Sequence, residues 1–408
     1  MSKKFLAKLY SWLSRKLRQL VVPKGSTEIA DHQFEGSNIE TFVIPTGIER
    51  IGAYAFAKCT QLKTVIIPDT VTKIEAGAFL GCSSLKSISI PNSVTNLGEQ
   101  VFENCTSLKN VALSNNLECL NNRLFCGCTS LEDIYIPSTV KSIGYSTFFN
   151  CSSLGSISIS DAVTSIDKYA FACCTNLKYI VLSNNISLIA DNTFEECKAI
   201  ESIVIPNGVT IIGSCAFYKC SSLKDITLSE ALTEIGKSAF QQCTALISIT
   251  IPESVSIIGS ESFRSCISLE SIVLPHQLVT VGDYAFCNCL SLKEVVFWDE
   301  VTEIGQFAFS NCTSLEDVVL PSKLPTIKMG TFAFCKALEK VYDLHSITAI
   351  ESKAFRGCDS LKQLDDVPSN IASDAFEGCN SLTISMKSER AARFFSAQLG
   401  VNVDISTN

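Results

Sequence analysis

Apolar and polar positions repeat along this chain with one long period. Phenylalanine recurs at Phe56, Phe79, Phe102, Phe125, Phe148, Phe171, Phe194, Phe217, Phe240, Phe263, Phe286, Phe309, Phe332 and Phe355, every step being 23 residues. Phe34 precedes the series by 22 residues and Phe376 follows it by 21, the irregularity expected of terminal repeats. Other columns keep the same register. From Phe56 onward, Leu stands six residues after each Phe (Leu62, Leu85, Leu108), with Ile200 as the exception. Aliphatic residues stand nine and eleven after, such as Val65 and Ile67, and Pro or Ser often follows, as at Pro68, Pro91, Ser114 and Pro137. Two more aliphatics, such as Val71 and Ile74, complete the unit.

The spacing within a unit sets its local structure. In 62–68, Val65 and Ile67 share one face and Thr64 and Ile66 the other, which is strand periodicity. Pro68 closes that strand where a missing N–H does least harm. Val71 and Ile74 are three apart, which suits a tight turn or a short 3-10 segment crossing the core. The stretch Gly52–Cys59 reads as one helical turn on the opposite side. A unit of this size cannot bury its own apolar face, so units stack in register around one continuous core. Sixteen coils are expected, with a parallel sheet on the order of 75 Å long at the usual strand spacing.

The motif I-G-x-x-A-F-x-x-C-x-S-L-K-x-I-x-I-P-x-x-V runs almost intact from Ile51 to Val71, with Gln61 in place of Ser. It resembles the treponemal, or BspA-like, class of leucine-rich repeats over roughly residues 28–384. The resemblance implies a right-handed solenoid with a parallel β-sheet on its concave face and short helical or 3-10 turns on its convex face. Characterised members of that class are described as surface proteins in adhesion and protein recognition, so the resemblance implies a binding scaffold.

Charge and cysteine content refine this picture. The formal net charge is −8, but residues 1–24 carry seven Lys/Arg and no acid, which leaves −15 for 25–408. An acidic body excludes a phosphate-binding face and hence nucleic acid. No apolar run approaches the roughly 18 residues of a membrane span. Of 20 cysteines, 15 stand three residues after a Phe, from Cys59 to Cys379. This column reads as buried thiols that pack like small hydrophobes, since in-register side chains point in parallel and approach one another badly for a disulfide. Cys126/Cys128 and Cys287/Cys289 form C-x-C pairs seven coils apart, roughly 34 Å, too far to share a metal ion. So many free thiols point to a reducing compartment or an anaerobic habitat.

Candidate chemistry is sparse. The three histidines are His32, His276 and His345, the last two in one column and roughly 14 Å apart. No G-x-S-x-G, P-loop or H-E-x-x-H motif occurs. No coil from Phe56 to Phe355 carries an insertion, whereas catalytic groups usually converge on irregular loops. The expectation is no enzyme, cofactor, metal or small-molecule substrate. Four N-x-S/T triplets begin at Asn104, Asn150, Asn185 and Asn311, and three of them span the cysteine column, so repetition explains them better than glycosylation.

The outward residue ten after each Phe is more informative. It is polar or small early in the chain (Ser89, Ala112, Ser158) and largely β-branched later. Tyr135, Val181, Val204, Val273, Val296, Val319 and Tyr342 in this column, Tyr179 beside Val181, and Trp298, where other coils have Pro or Ser, are the expected partner-binding residues. Exposed aromatics commonly anchor interfaces. The expected function is a non-catalytic scaffold that recognises a protein on its concave sheet. The alternative is a structural scaffold tethered to a membrane. In 1–24, Phe5, Leu9, Trp12, Leu13, Leu17 and Leu20 form one helical face, with Lys3, Lys4, Lys8, Arg15 and Lys16 among the remainder. Such a helix either caps the first coil or lies on an anionic membrane surface. The expected organisation is therefore 1–24 as a basic amphipathic helix, 25–384 as the solenoid, and 385–408 as a capping helix and tail. With no classical signal peptide and no membrane span, the expected location is the cytoplasm or the periphery of a membrane or cell surface.

Overall fold

The computed structural model describes residues 22–365, 367–386 and 402–405. The expected N-terminal amphipathic helix and C-terminal capping helix fall mostly outside these residues. The chain divides into two compact units, Met1–Ser183 and Asn184–Asn408.

Each unit is a parallel β-solenoid whose coils have three sides. The first side is the expected strand. In Thr64–Ile66 the flanking residues are exposed and Val65 is buried, and the strand pairs in parallel with Thr41–Val43 at a register of one repeat. The same arrangement recurs in unit 2, where Asp317–Val319 pairs with Glu294–Val296 and with Lys340–Tyr342. A buried central residue with two exposed neighbours is what a pleated chain gives when one face meets the core.

The second side differs from expectation. Lys73–Ile74 is not a crossing 3-10 segment but a two-residue parallel strand, paired with Arg50–Ile51 and Asn96–Leu97. The Val71 N–H closes a tight turn on the Pro68 carbonyl at 3.0 Å. That turn re-extends the chain, so Ile74 points into the core while Lys73 points out. In unit 2 these short strands join into one six-stranded sheet from Leu188–Ile189 to Glu303–Ile304.

The third side holds the phenylalanine, and it is not helical. Among the described residues the one helical element is a 3-10 turn at Leu344–Ser346. Two kinds of hydrogen bond alternate along 54–59 instead. The N–H groups of Tyr54, Phe56 and Lys58 donate to the carbonyls of Ala76, Ala78 and Leu80 in the next coil, at 2.6–2.9 Å. Those of Ala55, Ala57 and Cys59 donate three residues back within the coil. A helix would point all of them along one axis. Here every second amide turns outward to the neighbouring coil, because from Phe34 to Phe355 the residues two before and two after each Phe adopt a left-handed backbone. Tyr54, Lys58, Asn104, Arg123, Glu196 and Glu261 all lie at φ between 55° and 59°. For a non-glycine residue this costs about 1–2 kcal/mol, offset by the coil-to-coil bonds it allows. It also explains Asn104, Asn150 and Asn311, since asparagine tolerates this conformation better than most residues.

Inside this side the phenylalanines stack. Centroid separations run from 5.1 to 5.8 Å in unit 1, from Phe34 to Phe171. They run from 5.1 to 5.7 Å in unit 2, from Phe194 to Phe376. The rings are buried throughout, and burying such a side chain stabilises by about 1.5–3 kcal/mol each. The column cysteines lie beside them, buried and without disulfides. Their thiols do more than fill space. Cys82 Sγ donates to the Phe56 carbonyl in the preceding coil at 3.1 Å, and Cys243 does the same to Phe217 at 3.2 Å. The Phe56 carbonyl also accepts the Cys59 N–H at 3.1 Å, so both its lone pairs are satisfied.

Towards the C-terminal end the repeat shortens on the first side as well as the others, Gln363 pairing with Thr383 at 20 residues. Ile350 pairs with Ile371, a register of 21 residues instead of 23. A last strand, Asn402–Ile405, adds in parallel to Thr383–Met386, which periodicity did not foretell.

The left-handed columns make a stability prediction. Gly330 has φ +62°, and a Cβ there would lie 2.2 Å from the Phe307 ring, which is stacked on Tyr284 at 5.0 Å. Gly330→Ala should destabilise unit 2 by about 2–3 kcal/mol in urea unfolding, combining backbone strain and overpacking. In a double-mutant cycle with Phe307→Ala, removal of the ring should recover about 1 kcal/mol or more. Strictly additive losses would show that the ring does not limit this position.

Candidate interaction surface

The exposed faces of the three-residue strands carry most of the expected contact residues. In unit 2, Val273 pairs laterally with Thr250, and Val296, Val319 and Tyr342 lie side by side on successive strands. Val204 sits beside Thr227. All five expected residues are exposed, because the intervening residue of each strand takes the core. The row alongside is Ser271, Glu294, Asp317 and Lys340. Glu294 and Asp317 are direct lateral neighbours, a destabilising arrangement for like charges; Lys340 stands on the other side of Asp317, and neither carboxylate forms a salt bridge among the described residues. Unit 2 thus presents an apolar row flanked by an acidic one.

Unit 1 has a different character. Tyr179 and Val181 pair with Ser156 and Ser158, and Tyr179 and Tyr135 are each 72% exposed. Between Thr64 and Ser158 the face sinks into an open depression of about 730 Å³. Its exposed lining is Thr64, Ser87, Ser89, Asn110, Ala112, Asp133, Tyr135, Ser156 and Ser158. None of this floor except Tyr135 is among the residues expected from the sequence to bind a partner. The signal was present as the run of small residues in two adjacent columns, which leave a hollow where other coils fill it.

Trp298 stands elsewhere. It lies in the turn after the strand, the position of Pro in other coils, and is 39% exposed. Its Nε1 donates to the Leu274 carbonyl at 2.9 Å, and its ring stacks on His276 with centroids 3.7 Å apart. His276 in turn contacts Glu253 through Nδ1 and the backbone N–H, both at 2.9 Å. The indole is therefore committed to the turn, while its neighbour Phe297 is buried against Phe309. His32 is likewise engaged, stacked on Tyr54 and bonded to Glu35. Lys3, Lys4, Phe5, Lys8, Leu9, Trp12, Leu13, Arg15 and Lys16 lie outside the described residues. Among the described residues no helix is long and apolar enough to cross a membrane.

A family model for the BspA type leucine-rich repeat region matches residues 27–155, 141–267 and 256–383, in six copies. The chain belongs to the BspA-type leucine-rich repeat family. A leucine-rich repeat protein from Bacteroides ovatus, solved as a crystal structure, is 28% identical, with a TM-score of 0.67 over 83% of this chain and 88% of its own. One from Eubacterium ventriosum is 26% identical, with a TM-score of 0.49 over 80% and 84%. A leucine rich cell surface protein from Faecalibacterium prausnitzii is 25% identical, with a TM-score of 0.43 over 91% and 89%. No curated protein matches the chain. As a BspA-type chain, this protein is a repeat scaffold of a kind that typically engages proteins.

The buried thiols have a pH consequence. Burial pushes Cys266 and Cys335 up to about 12 and raises Cys243 and Cys312 as well. A cysteine in the unfolded chain titrates near 8.5. Above that value the unfolded state loses protons that the folded state keeps, so stability falls as pH rises from about 8.5 towards 12, by about 1.4 kcal/mol per thiol per pH unit. Urea midpoints measured in reductant should therefore drop steadily between pH 8.5 and 10.5. A Cys266→Val/Cys335→Val variant should show a visibly shallower drop. Parallel pH profiles for the two proteins would contradict the assignment.

Proposed function

We propose that this BspA-type protein is a non-catalytic scaffold that binds a protein partner on the exposed face of its three-residue strands, through the unit 2 row Val273, Val296, Val319 and Tyr342. The observation that carries this reading is the pairing of that apolar row with the acidic row Glu294–Asp317. Exposed β-branched residues alone are ordinary on a sheet. Adjacent carboxylates that form no salt bridge among the described residues are less so, even with Lys340 on the far side of Asp317, and a partner that brings apolar side chains with a basic residue beside Glu294 relieves both exposures. Partner recognition of the adhesion or surface-recognition type is consistent with this chemistry. Tyr179 and Val181 offer a second apolar contact in unit 1.

The test is affinity capture with the full chain, comparing wild type with Val296→Glu/Val319→Glu and with Glu294→Lys/Asp317→Lys. Both sites are exposed, so unfolding midpoints should match. Proteins retained by wild type should be lost from the first variant, with affinity reduced about 10-fold or more, since burying an added carboxylate without a partner costs at least about 1.4 kcal/mol. The charge-reversal variant should bind more slowly and lose its dependence on salt. A retained-protein profile identical across all three would overturn the proposal.

A further inference from the structure

The unit 1 depression carries chemistry that the protein-binding row does not use. Its polar side chains are Thr64, Ser87, Ser89, Asn110, Asp133, Tyr135, Ser156 and Ser158. None of them forms a side-chain hydrogen bond within the protein among the described residues. Polar side chains elsewhere on the coils commonly do. Thr139 Oγ1 reaches the Leu117 carbonyl, Ser93 Oγ the Val71 carbonyl, and Asn122 Oδ1 the Tyr145 N–H. The depression therefore gathers donors and acceptors that the fold has not consumed.

Several features define the ligand that fits them. Hydroxyl and amide groups both donate and accept, so they suit a ligand whose own groups do both. The lining holds one anion, Asp133, and no cation, which disfavours phosphate, sulfate or carboxylate ligands. Of its aliphatic lining, Val65, Ile88, Ile134 and Ile157 lie beneath it, buried, and Val111 is half-buried. An apolar helix or peptide ridge would find little to pack on. On either side of the depression, Ser87–Ser89 pairs with Asn110–Ala112 and Ser156–Ser158 with Tyr179–Val181. What does rise from the surface is aromatic. Tyr135 stands within the depression, and Tyr179 lies beside Ser156 at its edge. These rings sit two coils apart and two residues apart along the strand direction, about 12 Å at the usual spacings. Each offers an apolar face together with a hydroxyl.

We propose that this depression binds a neutral oligosaccharide. The pyranose rings lie along the row of strands, their C–H faces against Tyr135 and Tyr179. Their hydroxyls exchange hydrogen bonds with Asp133, Asn110 and the serines. Short floor residues such as Ala112 and Ser89 let the chain settle close to the sheet. The site is open and its individual hydrogen bonds are each weak on balance, so the dissociation constant should be on the order of 100 μM.

Calorimetric titration of the full chain tests this with hexasaccharides of β-1,4-linked glucose, β-1,4-linked N-acetylglucosamine and α-linked mannose, and with a heparin-derived hexasaccharide as the anionic arm. At least one neutral sugar should bind. Tyr135→Ala should weaken it about 10-fold or more while Tyr135→Phe stays within about 3-fold, because the ring face rather than the hydroxyl supplies the contact. Asp133→Ala should also weaken it, and thermal unfolding of these exposed-site variants should match wild type. The Val296→Glu/Val319→Glu variant should bind the sugar normally, so this proposal stands or falls apart from the protein-binding one. No neutral sugar binding at millimolar concentration, binding indifferent to Tyr135→Ala, or a preference for the heparin fragment would each overturn it.

Discussion

The structure depends on one repeated contact, the carbonyl of the column phenylalanine held from two directions. The backbone N–H three residues later binds it within the coil, and the cysteine thiol of the next coil binds it across the stack. A buried carbonyl left short of partners is costly, and here the residue that satisfies it also fills the space beside the ring. Cysteine suits both tasks because it is small, largely apolar and still a weak donor. Stacked rings, thiols and outward amides then form one wall from which each coil is set against its neighbour at a fixed register.

That register is what makes the opposite side useful. When each coil repeats its predecessor at the strand spacing, residues in one sequence column become residues in one surface row. Changes of composition along a column are then changes of chemistry along a surface. Within unit 1 the two outward columns hold short polar residues bounded by tyrosines. Within unit 2 they hold valines beside acids. Neither surface asks much of the core, since the residues beneath are apolar in both units. Stability and recognition are thus assigned to different columns, and each can vary without disturbing the other.

Much of this was legible from the chain alone, and the parts that were not have physical causes. The parallel strands at Thr64–Ile66 and its equivalents follow from simple alternation, and the burial of the Phe and Cys columns follows from their period. The second short strand looks from the sequence like a crossing 3-10 segment because a spacing of three between Val71 and Ile74 is shared by turns and helices. Only the neighbouring coil decides which forms. The third side was read as helical for a similar reason. Its distinguishing mark, Gly or Asn two residues before or after Phe at positions such as Gly77, Gly81, Asn104 and Gly127, signals a left-handed backbone, but Lys58 and Glu196 at the same positions conceal it. Trp298 was placed with the surface row on rarity alone, whereas one step along the chain turns it into the Pro position, where Leu274 and His276 hold it. The unit 1 depression is hard to read from the sequence because a hollow is made by short side chains in adjacent columns, and only the stacked coils bring those columns together.

The separation of wall from face is tested most directly by comparing their tolerance to substitution in urea unfolding of the full chain. Replacing Val273, Val296 and Val319 together by Thr preserves β-branching and alters only the exposed row. It should change the unfolding free energy by less than about 1 kcal/mol. The single change Phe240→Leu, which opens space in the stack between Phe217 and Phe263, should cost about 1–3 kcal/mol. If the three surface changes together cost as much as the one in the wall, the face is part of what holds the coils together, and the division of labour described here is wrong.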